Sequence, residues 1–158
     1  MSRMFEKIVF IILISLLPAG PALSQPPPAD DSYQPGGQKK LSGKYISTGT
    51  LRISNESKGQ IGVYMQTLTH KDVDASIFYI FLDRWIESEE RWANVGDLEF
   101  SYDKETSSPG ELKSKSVSFH VKGQPKKCYY RLRGVHVIIS GDHREMLSSR
   151  TDGILITK

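Results

Sequence analysis

The chain has one cysteine, Cys128, in 158 residues. A lone thiol cannot form an internal disulfide, so a fold stapled by disulfides is excluded, and with no CxxC partner there is no cysteine zinc site. The four histidines, His70, His120, His136 and His143, show no HExxH or other metal-ligand spacing. A glycine-rich phosphate cradle and a GxSxG elbow are also missing, so the residues predict no metal, no cofactor and no catalytic constellation. No apolar run reaches the roughly 20 residues of a membrane-spanning helix; the longest is about half that. Nor is there an excess of one charge: 21 Lys and Arg stand against 18 Asp and Glu, for a net charge of +3. Basic residues do gather at Lys113, Lys115, Lys122, Lys126, Lys127, Arg131 and Arg133. A solvated face accounts for them better than a binding patch, and no nucleic-acid partner is expected.

What is present begins with an export signal. Arg3 and Lys7 precede the uncharged run "IVFIILISLL", and "PAGPALSQ" follows with helix breakers and the small residues Ala22 and Ser24. That order reads as a secretory signal peptide over 1–24, cleaved between Ser24 and Gln25, leaving no integral membrane segment. The absence of a cysteine there argues against lipoprotein processing. The expected location is therefore periplasmic or secreted. Residues 25–40, "QPPPADDSYQPGGQKK", hold too little apolar surface to offset their ordering entropy and read as a disordered leader. One domain remains, 41–158, long enough to bury a core without disulfides.

The periodicity of this domain is two. Val117, Phe119 and Val121 alternate with Ser118 and His120, and Leu98, Phe100 and Tyr102 with Glu99 and Ser101. Ile61, Val63, Met65 and Thr67 alternate with Gly62, Tyr64 and Gln66 in the same way. Successive side chains of a strand leave opposite faces of the sheet, so these are half-buried strands. Turn-forming stretches separate them: "NESKG", "KETSSPGE", "KGQPKK" and "SGD". The predicted fold is all-β, a small antiparallel meander closing into a calyx-like β-barrel or a sandwich.

Two segments need more than alternation. Residues 72–97 contain "SIFYIFL", which suits a buried strand, yet Phe78, Phe81, Leu82, Trp85 and Trp92 also fall near one stripe of a helix. A strand over 75–82 with a charged excursion carrying both tryptophans is preferred, with one short helix near 83–94 as the alternative. In "CYYRLRGVHVIIS", Cys128, Tyr130 and Leu132 share a face opposite Tyr129, Arg131 and Arg133. The charged set belongs in water, so Cys128 is expected to be free, buried and inert. Beyond Gly134 the apolar set becomes Val135, Val137 and Ile139 with His136 opposite, which predicts a hairpin turn at Arg133-Gly134 or, alternatively, a β-bulge.

At the two ends of this domain the chain resembles small periplasmic bacterial β-barrel proteins of the lipocalin-like and lysozyme-inhibitor-like kind. The residues that carry the likeness are Gly43, Tyr45, Leu51, Ile53, Gly59, Cys128, Gly134, Val137, Asp152 and Gly153. The resemblance implies a calyx-like barrel with a binding role, in some relatives inhibition of lysozyme. Such proteins commonly have a second cysteine in the last loop, about where "HREMLSSRT" stands here, so the fold carries over more readily than the inhibition. No inhibitor contact can be matched onto this sequence.

The reading that results is an exported, non-catalytic binding protein. It would act as an inhibitor or immunity-type protein on a cell-wall hydrolase or another envelope protein. The alternative is a structural envelope protein or a carrier of a small apolar ligand. Candidate contacts are Trp85 and Trp92 with Arg84 and Arg91, because exposed Trp and Arg concentrate interface energy. The competing role for the two tryptophans is to cap the barrel. His143, between Asp142 and Arg144, reads as an exposed charged turn.

Overall fold

The computed structural model describes Pro26 and residues 39–40, 43–56 and 59–157. The expected signal peptide, 1–24, and the expected cleavage between Ser24 and Gln25 lie outside the described residues. Of the leader, Pro26 is buried and Lys39–Lys40 form a strand, while the rest also lies outside them.

Strands dominate because the alternating stretches become strands. Among the described residues they are β1 (Lys39–Lys40), β2 (Ile46–Asn55), β3 (Ile61–Thr69), β4 (Ala75–Ile86), β5 (Arg91–Asp103), β6 (Ser114–Val121), β7 (Cys128–Ser140), β8 (His143–Arg150) and β9 (Ile154–Ile156). All pairings are antiparallel and form two sheets, β1-β2-β3-β6 and β5-β4-β7-β8, with β9 beside the first part of β7. The hairpins β2–β3, β4–β5 and β7–β8 are those of a meander. The pairings β3–β6 and β4–β7 are not, because the chain changes sheets between β3 and β4 and again on either side of β6.

Three local expectations are corrected. The short helix near 83–94 is not formed: β4 runs on through Ile86, and one 3-10 turn at Glu87–Glu89 leads into β5. The hairpin at Arg133-Gly134 is not formed either. β7 is one continuous strand across it, paired with β4 on one side and β8 on the other. Gly134 is there for room: a methyl group on its α-carbon would lie 2.8 Å from Ser149 Oγ and 3.0 Å from Met65 Cε. Because the strand phase never flips, His136 faces inward and is fully buried. Finally, Cys128 is a free thiol but only half-buried. It does face the core, but as the first residue of β7 it has only β9 beside it at that end of the sheet.

The two sheets share a core. Leu51, Met65 and Val117 from one meet Phe78, Ile80, Tyr130 and Leu132 from the other. One side is sewn shut. The Glu145 carboxylate of β8 accepts the backbone N–H groups of Tyr45 and Ile46 at 3.0 and 2.8 Å, and Asn55 donates to the Leu155 carbonyl of β9 at 3.2 Å. The opposite side has no such seam. Phe100 and Phe119 touch there, with ring centroids 5.4 Å apart, but among the described residues β5 pairs only with β4 and β6 only with β3.

Candidate functional site

The side without a seam holds an apolar cleft. Along β5, Leu98 and Phe100 point inward opposite Ile80 and Phe78, and along β6, Phe119 and Val121 point inward opposite Val63 and Ile61. Beyond the Phe100–Phe119 contact, these side chains leave about 200 Å³ between the sheets, lined chiefly by Val63, Ile80, Leu82, Leu98, Phe119 and Val121. Leu98 is 44 % exposed although its strand phase points it at the core. Each bounding strand has a side with no hydrogen-bonded neighbour among the described residues. An edge of that kind can pair with another extended chain.

The sequence-predicted tryptophans do come together. Trp85 and Trp92 are direct cross-strand partners, edge to face with centroids 5.5 Å apart, at the β4–β5 tip. Both are half-buried. A methyl group on Gly153 would lie 2.8 Å from the Trp92 ring and 3.4 Å from Pro26, so one edge of that ring is packed. No described acceptor reaches the buried Nε1 of Trp85. The two arginines do not join this pair. Arg84 lies beside Tyr130 in the strand register, and Arg91 is exposed and paired with Glu89.

A different arginine pair completes the cluster. Arg131 stacks over Trp92 at 4.5 Å, and Arg133 over Phe81 at 5.0 Å. Both donate to Asp83, Arg131 at 3.0 Å and Arg133 through two nitrogens at 2.8 and 3.0 Å. Asp83 is 2 % exposed. Burial by itself would raise its carboxyl pKa, but the hydrogen bonds from Arg133 and Arg131 outweigh that and hold it below the usual carboxylate value. Sequence reasoning took Asp83 for the start of a charged excursion. The signal that could have found it is an acid ending an apolar run, matched by "RLR" on the partner strand.

His136 carries the other buried polar network. Its Nδ1 lies 2.8 Å from Thr67 Oγ1 and its Nε2 3.0 Å from Ser149 Oγ, with the Phe78 ring edge-on at 6.1 Å. Burial pushes its pKa from 6.5 down to about 4, so the ring is neutral near pH 7 and one nitrogen donates while the other accepts. A serine beside an imidazole invites a nucleophile reading. Here both ring nitrogens are taken by hydroxyls, no carboxylate orients the ring, and the imidazole is sealed from solvent. The network holds the two sheets together and does not present a reactive group.

Cys128 borders a surface groove of about 630 Å³ with Trp85, Ile86 and Tyr129, its sulfur 3.5 Å from the Lys126 carbonyl. Among the described residues no group of three His, Cys, Asp or Glu is placed to hold a metal ion, and no helix is long and apolar enough to cross a membrane. The chain matches no family model, no curated protein and no solved structure.

Proposed function

We propose that the protein is an exported, non-catalytic binding protein, a half-open barrel akin to the lipocalin-like and lysozyme-inhibitor-like proteins, that captures an extended segment of an envelope protein. The observation that carries this reading is the apolar cleft flanked by the free edges of β5 and β6. Its size favours one kind of occupant. Cavities of about 150 Å³ take benzene, and sites for drug-sized ligands run from about 300 Å³ upward. A cleft of about 200 Å³ therefore suits one or two apolar side chains. An added strand would supply those side chains at every second residue while its backbone pairs with an edge, which combines affinity with selection.

Two further readings stay within reach of the same test. The apolar lining also fits the end of an acyl chain, which would make the protein a carrier. If the captured segment belongs to a cell-wall hydrolase, capture would inhibit it. The experiment places a photoreactive phenylalanine analogue at position 98, with position 52 on the outer surface of β2 as control, and irradiates the protein in its own envelope fraction. We expect adducts from position 98 only, on a peptide with apolar residues at alternate positions. Lipid adducts alone would move the assignment to a carrier. The absence of adducts at position 98 would refute capture at the cleft.

A further inference from the structure

An antiparallel sheet with one buried face ordinarily turns a polar face to water. The β5-β4-β7-β8 sheet does not. Strand phase sends Ile77, Tyr79 and Phe81 of β4 outward, together with Val135 and Val137 of β7 and Met146 of β8. No described element covers them. Within this face Val137 has no exposed surface, while Met146 is 56 % exposed.

Charge on this face is divided between its two flanks. The register gives four rows running from β5 to β8: Asp103–Ala75–Ile139–Arg144, Ser101–Ile77–Val137–Met146, Glu99–Tyr79–Val135–Ser148 and Asp97–Phe81–Arg133–Arg150. The β5 flank is thus acidic at Asp97, Glu99 and Asp103, and the β8 flank basic at Arg144 and Arg150. The rows between them are apolar, apart from Arg133 over Phe81.

We propose that this face is a self-association surface on which a second copy of the chain docks sheet to sheet, about a two-fold axis parallel to the strands. Such an axis keeps each row in place and exchanges its ends. Asp97 of one copy then lies over Arg150 of the other, Asp103 over Arg144, and Ile77 over Val137, at the roughly 10 Å spacing of stacked sheets. An axis across the strands would instead set acid on acid, so the charge pattern selects one of the two face-to-face arrangements. Isologous contacts of this kind repeat every pair twice. Four strands over seven residues span about 19 Å by 23 Å, or roughly 440 Å² per copy, about half the roughly 800 Å² per partner of a standard interface, which suits a weak, concentration-dependent dimer. The surface lies on the outer face of the sheet and shares only Asp97 with the lining of the β5–β6 cleft, and the Arg144→Glu/Arg150→Glu variant tests it without touching the cleft.

The test is the mass of the protein recovered from the producing cell, followed by sedimentation velocity across a wide concentration series. We expect a dimer that Met146→Asp converts to monomer. Asp97→Lys/Glu99→Lys should weaken self-association about tenfold or more, as should Arg144→Glu/Arg150→Glu, since each sets like charge on like charge. Mixing those two double variants should restore a dimer, because each then supplies the flank the other lost. A folded wild type that stays monomeric throughout would overturn the proposal. So would a dimer indifferent to Met146→Asp and to both flank variants.

Discussion

Acidification offers a sharp test of the buried network around His136. The imidazole is sealed between the sheets, with Thr67 and Ser149 on its two nitrogens and a pKa pushed down to about 4 by burial. An unfolded chain takes up this proton near pH 6.5, whereas the folded chain does not until about pH 4. The unfolded state thus binds more protons across that window, so stability is full above pH 6.5 and falls as the pH drops toward 4. Each unit is worth about 1.4 kcal/mol, so this group alone removes about 2 kcal/mol between pH 6.5 and about pH 5, and roughly 3 kcal/mol by pH 4. The measurement is urea unfolding followed through Trp85 and Trp92 fluorescence at a series of pH values, for the wild type and for His136→Gln. Glutamine keeps a donor and an acceptor between the two hydroxyls but does not titrate. Carboxylates act alike in both proteins, so the difference between the two stability curves isolates the imidazole. The wild-type advantage should shrink by about 2 kcal/mol from pH 6.5 to about pH 5. A variant that loses stability as steeply as the wild type would refute a neutral, enclosed His136.

Other substitutions probe the remaining features. Asp83→Ala strips two guanidinium groups of their shared carboxylate and should cost about 2 kcal/mol by urea unfolding, less than a fully buried pair because Arg133 can rehydrate. Since the Asp83 pKa is lowered in the fold, that cost should be present above about pH 4 and fade as the pH falls through the folded value. Gly134→Ala forces a methyl group against Ser149, Met65 and Leu51 and should cost roughly 1 to 3 kcal/mol, with no backbone strain involved. Leu98→Asp, at an already exposed position, should leave stability within about 0.5 kcal/mol while abolishing partner capture at the cleft. Cys128 should react with a thiol reagent in the native state more slowly than in denaturant but measurably, because its sulfur borders a surface groove. A complete native block would contradict its half-buried position.

Much of the architecture was legible where one face of a strand is wet and the other dry. The assigned faces of 61–67, 98–102 and 117–121 are those found, and Cys128, Tyr130 and Leu132 do point inward. Legibility failed on β7 beyond Leu132. There the strand lies between two others and carries apolar residues on both faces, so Val135 and Val137 drew the alternation outward while the inward residues were a glycine and a histidine. Neither of those announces a core position by its chemistry. Gly134 was read as a turn for the conformational freedom of glycine, but what the fold uses is its lack of a side chain. The pairing of Asp83 with Arg131 and Arg133 bridges strands 48 and 50 residues apart, beyond any local pattern. The cleft was invisible for a similar reason. Leu98 and Val121 read as ordinary core residues, and only the strand order shows that no described strand stands between theirs.

The seam on the opposite side bears on how such a chain reaches this state. Glu145 holds the start of β2 across 100 and 99 residues, and Asn55 reaches Leu155 across another 100. Because a chain is synthesised from its N-terminus, β2 and β3 are complete long before these partners are. Their hairpin can form early, and β1 covers its outer edge only at Thr48 and Gly49, so the contacts from β8 and β9 come later. Closure of that side is therefore a late, long-range event of the kind that slows folding and exposes strand edges to wrong partners. The segment from Glu145 to Leu155 acts as a latch. A chain cut short before Glu145 would leave the β1-β2-β3-β6 sheet open on the side that the fold seals, so these distant contacts decide when the first strands become safe from aggregation.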